Sequence, residues 1–351
     1  MAKTTFFRLT GCAALLSFAL LGGLPAQDQT DAQPVGGPVM GFVTDRLSGV
    51  RPILGVPGAA SLGLPVLPNS GFRSIAFSPS RDYALALVAR GRQTVLLRNL
   101  KSSVAAIELQ APPGAGRMAI SLSGDAAVLH YPETQSVAVL TGLPQSPAVS
   151  WSLEVPALAG GLTALAVSDD GGAVLIATAG EPSSVWLLAP NGSSRFLSYV
   201  AGAPSLAFLA GSHDVLIADG ALSTVMLVRD ANGQGRITQI GGRAEGVSRP
   251  IAVAAAADGR RAFVANAEPA GIVSLSLEGG QPLVVPCDCT LTALEPLADG
   301  TTFRLSDPGD GPIWLLDGAS SPPSIVFVPD QSPVRPELRS PLLPVRSGGE
   351  R

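Results

Sequence analysis

The chain has 351 residues, with 23 Lys or Arg against 27 Asp or Glu, so its formal net charge is −4. This acidic balance makes nucleic acid and anionic membrane surfaces poor candidates as partners. Lys3 and Lys101 are its only lysines, so chemistry through a lysine Schiff base has almost no residues on which to rest.

The N-terminus carries basic residues, an apolar run from Leu9 to Leu24, and then Pro25-Ala26. This order is typical of a secretory signal peptide over residues 1–26, and the interrupted run is too short for a transmembrane helix. We therefore expect a mature chain that begins near Gln27, has a net charge of −6, lacks a transmembrane segment and is periplasmic or secreted.

The same region offers a second interpretation. Leu9–Cys12 is similar to a bacterial lipobox, which would place a lipid on Cys12. It precedes the hydrophobic run instead of following it, so the sequence favours the signal peptide.

A polar leader over residues 27–37 precedes two strand-like segments, Val39–Thr44 and Val50–Val56. They predict an N-terminal hairpin over residues 38–58, which we interpret as the outer two strands of an incomplete sheet. Such a hairpin either builds a partial sheet or closes a ring of sheets, because an open sheet edge tends to pair with another chain.

From residue 73 onward, one pattern of four short strands recurs six times. Copies start near residues 73, 116, 163, 204, 249 and 290. With the first strands aligned on Ile75, Met118, Leu165, Leu206, Ile251 and Thr292, the steps are 43, 47, 41, 45 and 41 residues. A period near forty that contains only strands predicts an all-β fold, a β-propeller with six complete four-stranded blades and six or seven in total. We assign it to residues 38–330, followed by a Pro/Arg-rich tail over 331–351.

Two residue types recur in the repeats for structural reasons. An Ala follows the aligned position in every copy, which suits innermost strands that converge on an axis. An Asp marks each turn between the first and second strands, because Asp suits tight turns. These aspartates are Asp82, Asp125, Asp170, Asp214, Asp258 and Asp299.

Two repeats carry a family resemblance. Ala262–Asn266 followed by Ile272–Ser276 resembles the repeat of the YVTN and NHL-type propellers, and Leu216–Asp219 followed by Thr224–Val228 is a looser match. The resemblance, in an exported bacterial type, implies the fold but no particular activity, since such propellers include lactonase-like enzymes and many non-catalytic extracellular binding proteins. None of their catalytic residues can be assigned to positions in this chain.

The connections expected around the axis on one face supply the candidate ligand-binding residues. Arg73, Arg117 and Arg249 fall in connections that enter a repeat, where they would form a cationic ring for a carboxylate or phosphate, or else pair with neighbouring loops. The connections between the second and third strands add acidic, amide and imidazole groups that would hold a divalent ion or act as acid and base, or else form a solvated rim. These residues are His130, Glu133, Glu181, Asp219, Asn266, Glu268, Asp307 and Asp310.

Cys287 and Cys289 are separated by one residue. In an oxidising compartment two thiols form a disulfide or contribute to a site for a soft metal, and two thiols alone make an incomplete site. In a regular strand their α-carbons would be about 7 Å apart, so a disulfide requires a bend in the chain.

No catalytic motif is present. The chain lacks a Gly-x-Ser-x-Gly elbow, an HExxH pair and a P-loop. We therefore expect a non-catalytic exported propeller, without a cofactor, that binds a protein, glycan or small molecule. The alternative is a metal-assisted, lactonase-like hydrolase with a divalent ion at the axial mouth.

Overall fold

The computed structural model describes residues 37–45, 49–68, 71–90, 92–155, 160–307 and 312–329. The expected signal peptide, residues 27–36 of the leader and the tail over 331–351 lie outside these residues. In the described part the chain forms strands and one 3-10 turn at Arg243–Glu245. None of its helical residues makes a segment long and apolar enough to cross a membrane.

The strands form seven antiparallel sheets, and the order of the strands in each sheet follows the chain. Sheet 1 has three strands: β1 (Val39–Asp45), β2 (Gly49–Val56) and β3 (Ala59–Leu62). Each of the other six has four.

The strands of sheets 2, 3 and 4 are β4 (Phe72–Phe77), β5 (Tyr83–Val88), β6 (Thr94–Arg98), β7 (Ala105–Glu108), β8 (Arg117–Ile120), β9 (Ala126–Tyr131), β10 (Ser136–Thr141), β11 (Ala148–Glu154), β12 (Leu162–Val167), β13 (Val174–Thr178), β14 (Ser183–Leu188) and β15 (Ser194–Val200). Those of sheets 5, 6 and 7 are β16 (Ser205–Phe208), β17 (Val215–Asp219), β18 (Thr224–Arg229), β19 (Arg236–Gly241), β20 (Pro250–Ala255), β21 (Arg261–Asn266), β22 (Gly271–Ser276), β23 (Leu283–Pro286), β24 (Glu295–Pro296), β25 (Thr302–Arg304), β26 (Ile313–Asp317) and β27 (Ser324–Val328).

The sheets close into a ring, because an apolar cluster lies between each sheet and the next. Seven such clusters join sheets 1 and 2, 2 and 3, and so on around to sheets 7 and 1. In the last of them, Met40 and Ile53 of sheet 1 pack with Leu315 and Val328 of sheet 7. The predicted β-propeller is confirmed, and the ring contains seven blades, the first with three strands.

The second strand of each repeat explains why the ring forms. Side chains alternate between the two faces of a strand, and in β17 both sets are apolar and buried. Val215 and Ile217 pack toward sheet 4, whereas Leu216 and Ala218 pack toward sheet 6. A sheet with two apolar faces must be covered on both sides, so each blade requires two neighbours.

Strand pairing shifts two of the aligned repeat positions. Ile75 pairs with Ala86, and the equivalent pair in sheet 6 is Val253 with Val264. Val253 and Leu294, rather than Ile251 and Thr292, are therefore the equivalents of Ile75. The sequence alignment was wrong by two residues there, because Ala-rich strands score similarly in either register.

The N-terminal hairpin is the beginning of sheet 1, since the chain continues from β2 into β3. β1 borders the central axis, but it runs opposite to the other strands that do so. The Met40 carbonyl accepts the Ala298 N–H (2.8 Å) beside the first turn of sheet 7. At the other end, Thr44 lies with Phe72 and Arg73, where β4 begins.

Candidate functional site

The ring has two loop-bearing faces. We call the face where each sheet's outermost strand leads into the next sheet, and where second and third strands connect, the loop face. The opposite one, with the turns between first and second strands, is the turn face. The predicted ligand-binding residues were assigned to the loop face.

A central channel of about 730 Å³ runs along the axis. Its wall is mostly apolar, because the innermost strands present Ala and larger aliphatic side chains there. Examples are Met118, Ala166 and Leu206. The charged residues of the wall are confined to one sector, between sheets 7 and 2: Arg73, Glu295, Arg304 and Asp307.

Arg304 is the centre of that charged sector. Its guanidinium is buried and donates to Glu295 Oε2 and Asp307 Oδ1, both at 2.5 Å, and to the Ser306 carbonyl at 2.8 Å. Burial works against its charge, but Glu295 and Asp307 raise the pKa of Arg304 above its ordinary value. Sequence reasoning missed Arg304, although an Arg inside an otherwise apolar strand was the available signal.

The three predicted arginines do not converge on one point. Arg73 donates to the Ala115 carbonyl (2.6 Å), and Arg117 to the Thr163 carbonyl (2.9 Å). Each thus ties one innermost strand to the next sheet. Arg249 instead pairs with Glu268 of its own sheet at 2.6 Å, where both side chains are exposed.

Asp219 and Asn266 occupy equivalent positions at the ends of β17 and β21, and both are buried. Asp219 Oδ2 accepts the Ala201 N–H (2.7 Å), and Oδ1 accepts two further backbone N–H groups. Asn266 accepts the Ser248 N–H (3.0 Å) and donates to the Gly246 carbonyl (2.8 Å). Both side chains hold the connection that enters their own sheet.

His130 is buried inside β9 and not in the following connection, as the sequence analysis had placed it. The extra length of the strand explains the difference, since Tyr131 still pairs with Ser136. Within the described structure, Nδ1 of His130 has no hydrogen-bond partner. Burial, and then the charge of Arg117, lower the pKa of His130.

The remaining acidic candidates are dispersed. Glu133 pairs with Arg92 at 2.6 Å, with both side chains exposed. Glu181 is an exposed residue of the connection after β13. Asp307 belongs to the Arg304 group, and Asp310 lies outside the described residues. No group of three or more His, Cys, Asp or Glu side chains that could hold a metal occurs among the residues described here.

Cys287 and Cys289 form a disulfide in the connection between β23 and β24, with α-carbons 5.1 Å apart. That separation is normal for a disulfide and shorter than an extended strand allows. The bond takes up both sulfurs, so neither supplies a thiolate.

The turn face is held by polar contacts between successive turns. Asp169 accepts the Ser123 and Gly211 N–H groups, from the turns on either side of its own. The neighbouring Asp170 accepts from Ser168 and contacts His213 Nε2 at 3.3 Å. Although burial alone would raise the pKa of Asp170, the Ser168, Gly172 and His213 contacts lower it. The recurrent aspartates lie in these turns.

The fold and this geometry define a seven-bladed β-propeller with a charged sector in its channel and a loop face fixed by buried polar side chains. The sequence matches no protein-family model and has no significant match among curated proteins. What it resembles is therefore known from solved structures.

Three solved structures are similar. A protein from Lactobacillus plantarum has a TM-score of 0.54 at 11% identity, covering 83% of this chain and 96% of that one. The β-propeller domain of Cps50 (Swd1) from Myceliophteria thermophila has 0.52 at 10%, covering 75% and 88%. A functionally unknown protein from Desulfotomaculum acetoxidans has 0.50 at 16%, covering 70% and 78%. At these identities the likeness establishes the fold alone.

The role of Asp219 can be tested by denaturation. We expect Asp219→Ala to lower the free energy of unfolding by at least about 2 kcal/mol, because it leaves three backbone N–H groups without their acceptor. The control is Glu268→Ala, which breaks an exposed pair and should cost no more than about 1 kcal/mol. Equal losses in the two variants would contradict a structural role for Asp219.

His130 should make stability depend on pH. Its pKa is lower in the folded than in the unfolded chain, so its contribution is present above the ordinary histidine pKa of about 6.5 and declines as pH falls below that. We expect His130→Gln to reduce the loss of unfolding free energy between pH 7 and pH 5, measured by denaturant titration. His213→Gln is the control, and an unchanged slope in His130→Gln would contradict the prediction.

Proposed function

We propose that this protein is an exported, non-catalytic binding module of the YVTN/NHL-like type, which receives a partner on its loop face. The observation that carries the proposal is that buried Asp219 and Asn266 fix the connections of this face. The side chains that remain exposed there are consequently presented by a rigid frame, as is common in binding sites.

A non-catalytic role is supported by what the polar candidates contact. Asp219, Asn266 and the Arg304 group are engaged in hydrogen bonds within the blades. Glu133 and Glu268 each pair with an arginine on a different part of the rim. General acid–base chemistry needs groups that converge on one substrate, and these candidates are spread around the ring.

A protein is the partner class that the surface favours. We call Leu222, Arg249, Ile251 and Glu268 the Arg249 patch. Leu222 and Ile251 are 58% and 40% exposed, and the Arg249 N–H donates to Ser223 Oγ (3.0 Å), which links the two loops. Apolar groups beside an exposed charge pair resemble the core and rim of a protein interface.

Site-specific photocrosslinking in the producing cells tests the patch. We expect p-benzoylphenylalanine in place of Leu222 to give a discrete crosslinked product, because the side chain would be covered by the partner. The control is the same replacement at Glu278, which is exposed after β22 on the turn face. A second control adds Ile251→Glu, which should reduce the product at least tenfold. Equal products from both positions, or none from Leu222, would contradict the proposal.

Export is tested separately. We expect the chain recovered from the periplasm or medium to have the intact mass of a protein that begins at Gln27. Leu16→Arg, which interrupts the apolar run, should retain the full-length chain in the cytoplasm, whereas the exposed Leu64→Arg should leave export unchanged. A protein that begins at Met1 in every fraction would refute export.

A further inference from the structure

Sheet 1 lacks its innermost strand. Its sequence shows this, because Phe42-Val43-Thr44-Asp45 matches Phe263-Val264-Ala265-Asn266 at the end of β21. Both segments stop at an Asp or Asn immediately before the next turn, and β21 is the second strand of its sheet. The reversed direction of β1 agrees with this assignment. β1, β2 and β3 are thus the second, third and fourth strands of a blade.

The missing strand leaves a slot between β4 and β24. The channel wall there includes Arg73–Pro79 and Leu294–Ala298, whereas the other innermost strands each contribute only three or four residues. It also reaches Arg304 in a second strand, which an innermost strand would otherwise cover. β1 therefore presents an open edge, and an open edge is a template for one more strand.

We propose that residues 337–340 of this chain fill the slot as the innermost strand of blade 1, antiparallel to β1. This inference does not depend on the proposed binding role. It completes a seventh four-stranded blade with a segment from the opposite end of the chain, and so joins the two ends of the ring through backbone hydrogen bonds.

Chain connectivity supports this occupant. β27 is the outermost strand of sheet 7 and ends at Val328 beside sheet 1, where Val328 packs with Met40 and Val43. Elsewhere, an outermost strand leads into the innermost strand of the next sheet after four to eight residues. A connection of eight residues from Val328 brings the chain to Glu337 on the loop face, with the direction that the slot requires.

The sequence of the segment fits the slot. Leu338 lies 44 residues after Leu294, within the 41 to 47 residues that separate the other equivalent positions. All of those positions are apolar, namely Ile75, Met118, Leu165, Leu206, Val253 and Leu294. Each packs against the preceding sheet, so Leu338 would extend the cluster that contains Val43 and Leu297.

The flanking residues are also compatible. Pro336 and Pro341 bracket four residues without proline, which equals the length of β8 and of β16. Arg339 takes the position of the recurrent Ala and of Glu295. Because Glu295 is 58% exposed in the channel wall, a long side chain is accommodated at that position.

The register makes the test specific. Ala252 pairs with Ala265 in sheet 6, and the equivalent pair in blade 1 is Glu337 with Thr44. We expect Thr44→Cys with Glu337→Cys to form a disulfide under mild oxidation of the full native chain, detected by peptide mapping. The matched control, Thr44→Cys with Glu350→Cys, should yield at least tenfold less.

Two outcomes of this crosslinking would overturn the proposal. One is the absence of a Thr44–Glu337 link, or an equal yield in the control. The other is a link that joins two chains on a non-reducing gel, which would assign the slot to a second copy.

A binding measurement provides an independent check. A stop after Pro329 should lower the midpoint of thermal unfolding by several degrees, and a labelled peptide of residues 333–345 should bind the shortened chain and restore it. The full chain should not bind this peptide, and the same peptide with Leu338→Asp should bind at least tenfold more weakly. Equal binding by the full and shortened chains would refute occupancy of the slot by this segment. If the shortened chain fails to fold, the crosslinking result decides.

Discussion

The structure depends on one constraint, which is that the middle strands of every blade are apolar on both faces. In β13, for example, Val174 and Ile176 pack toward one neighbouring sheet, while Leu175 and Ala177 pack toward the other. Such a sheet is stable only between two others, and the requirement ends only when the last sheet meets the first. The ring, the channel and the two loop-bearing faces follow from this. Polar side chains are consequently left to the strand ends and turns, where Asp219 and Asp169 hold the backbone.

The fold could be predicted from the sequence because it is periodic. Strand-like segments every forty residues, with Ala near the axis and Asp in the turns, are physical consequences of a blade. The register was less accessible. Ile251-Ala-Val-Ala-Ala is almost self-similar after a shift of two residues, and only the pairing of Val253 with Val264 distinguishes the two alignments.

The candidate site was predicted less completely, for a physical reason. Sequence indicates which residues are polar and close to a loop, but not whether their hydrogen bonds are already used. Asp219 and Asn266 were chosen as ligand-binding residues and instead bind backbone groups. Arg304 was not chosen, because an arginine within a strand gives no indication of whether it faces a channel until the strand beside it is known.

The disulfide between Cys287 and Cys289 differs in kind from the bridges that stabilise small secreted domains. A cross-link stabilises mainly by restricting the unfolded chain, and this restriction grows with the length of the loop that it closes. A bridge across one intervening residue restricts the unfolded chain very little. Its effect is therefore local: it shapes the segment that carries the chain from β23 to β24, at the border of the charged sector of the channel. Oxidation and reduction there would alter the entrance to blade 7 and leave the ring intact.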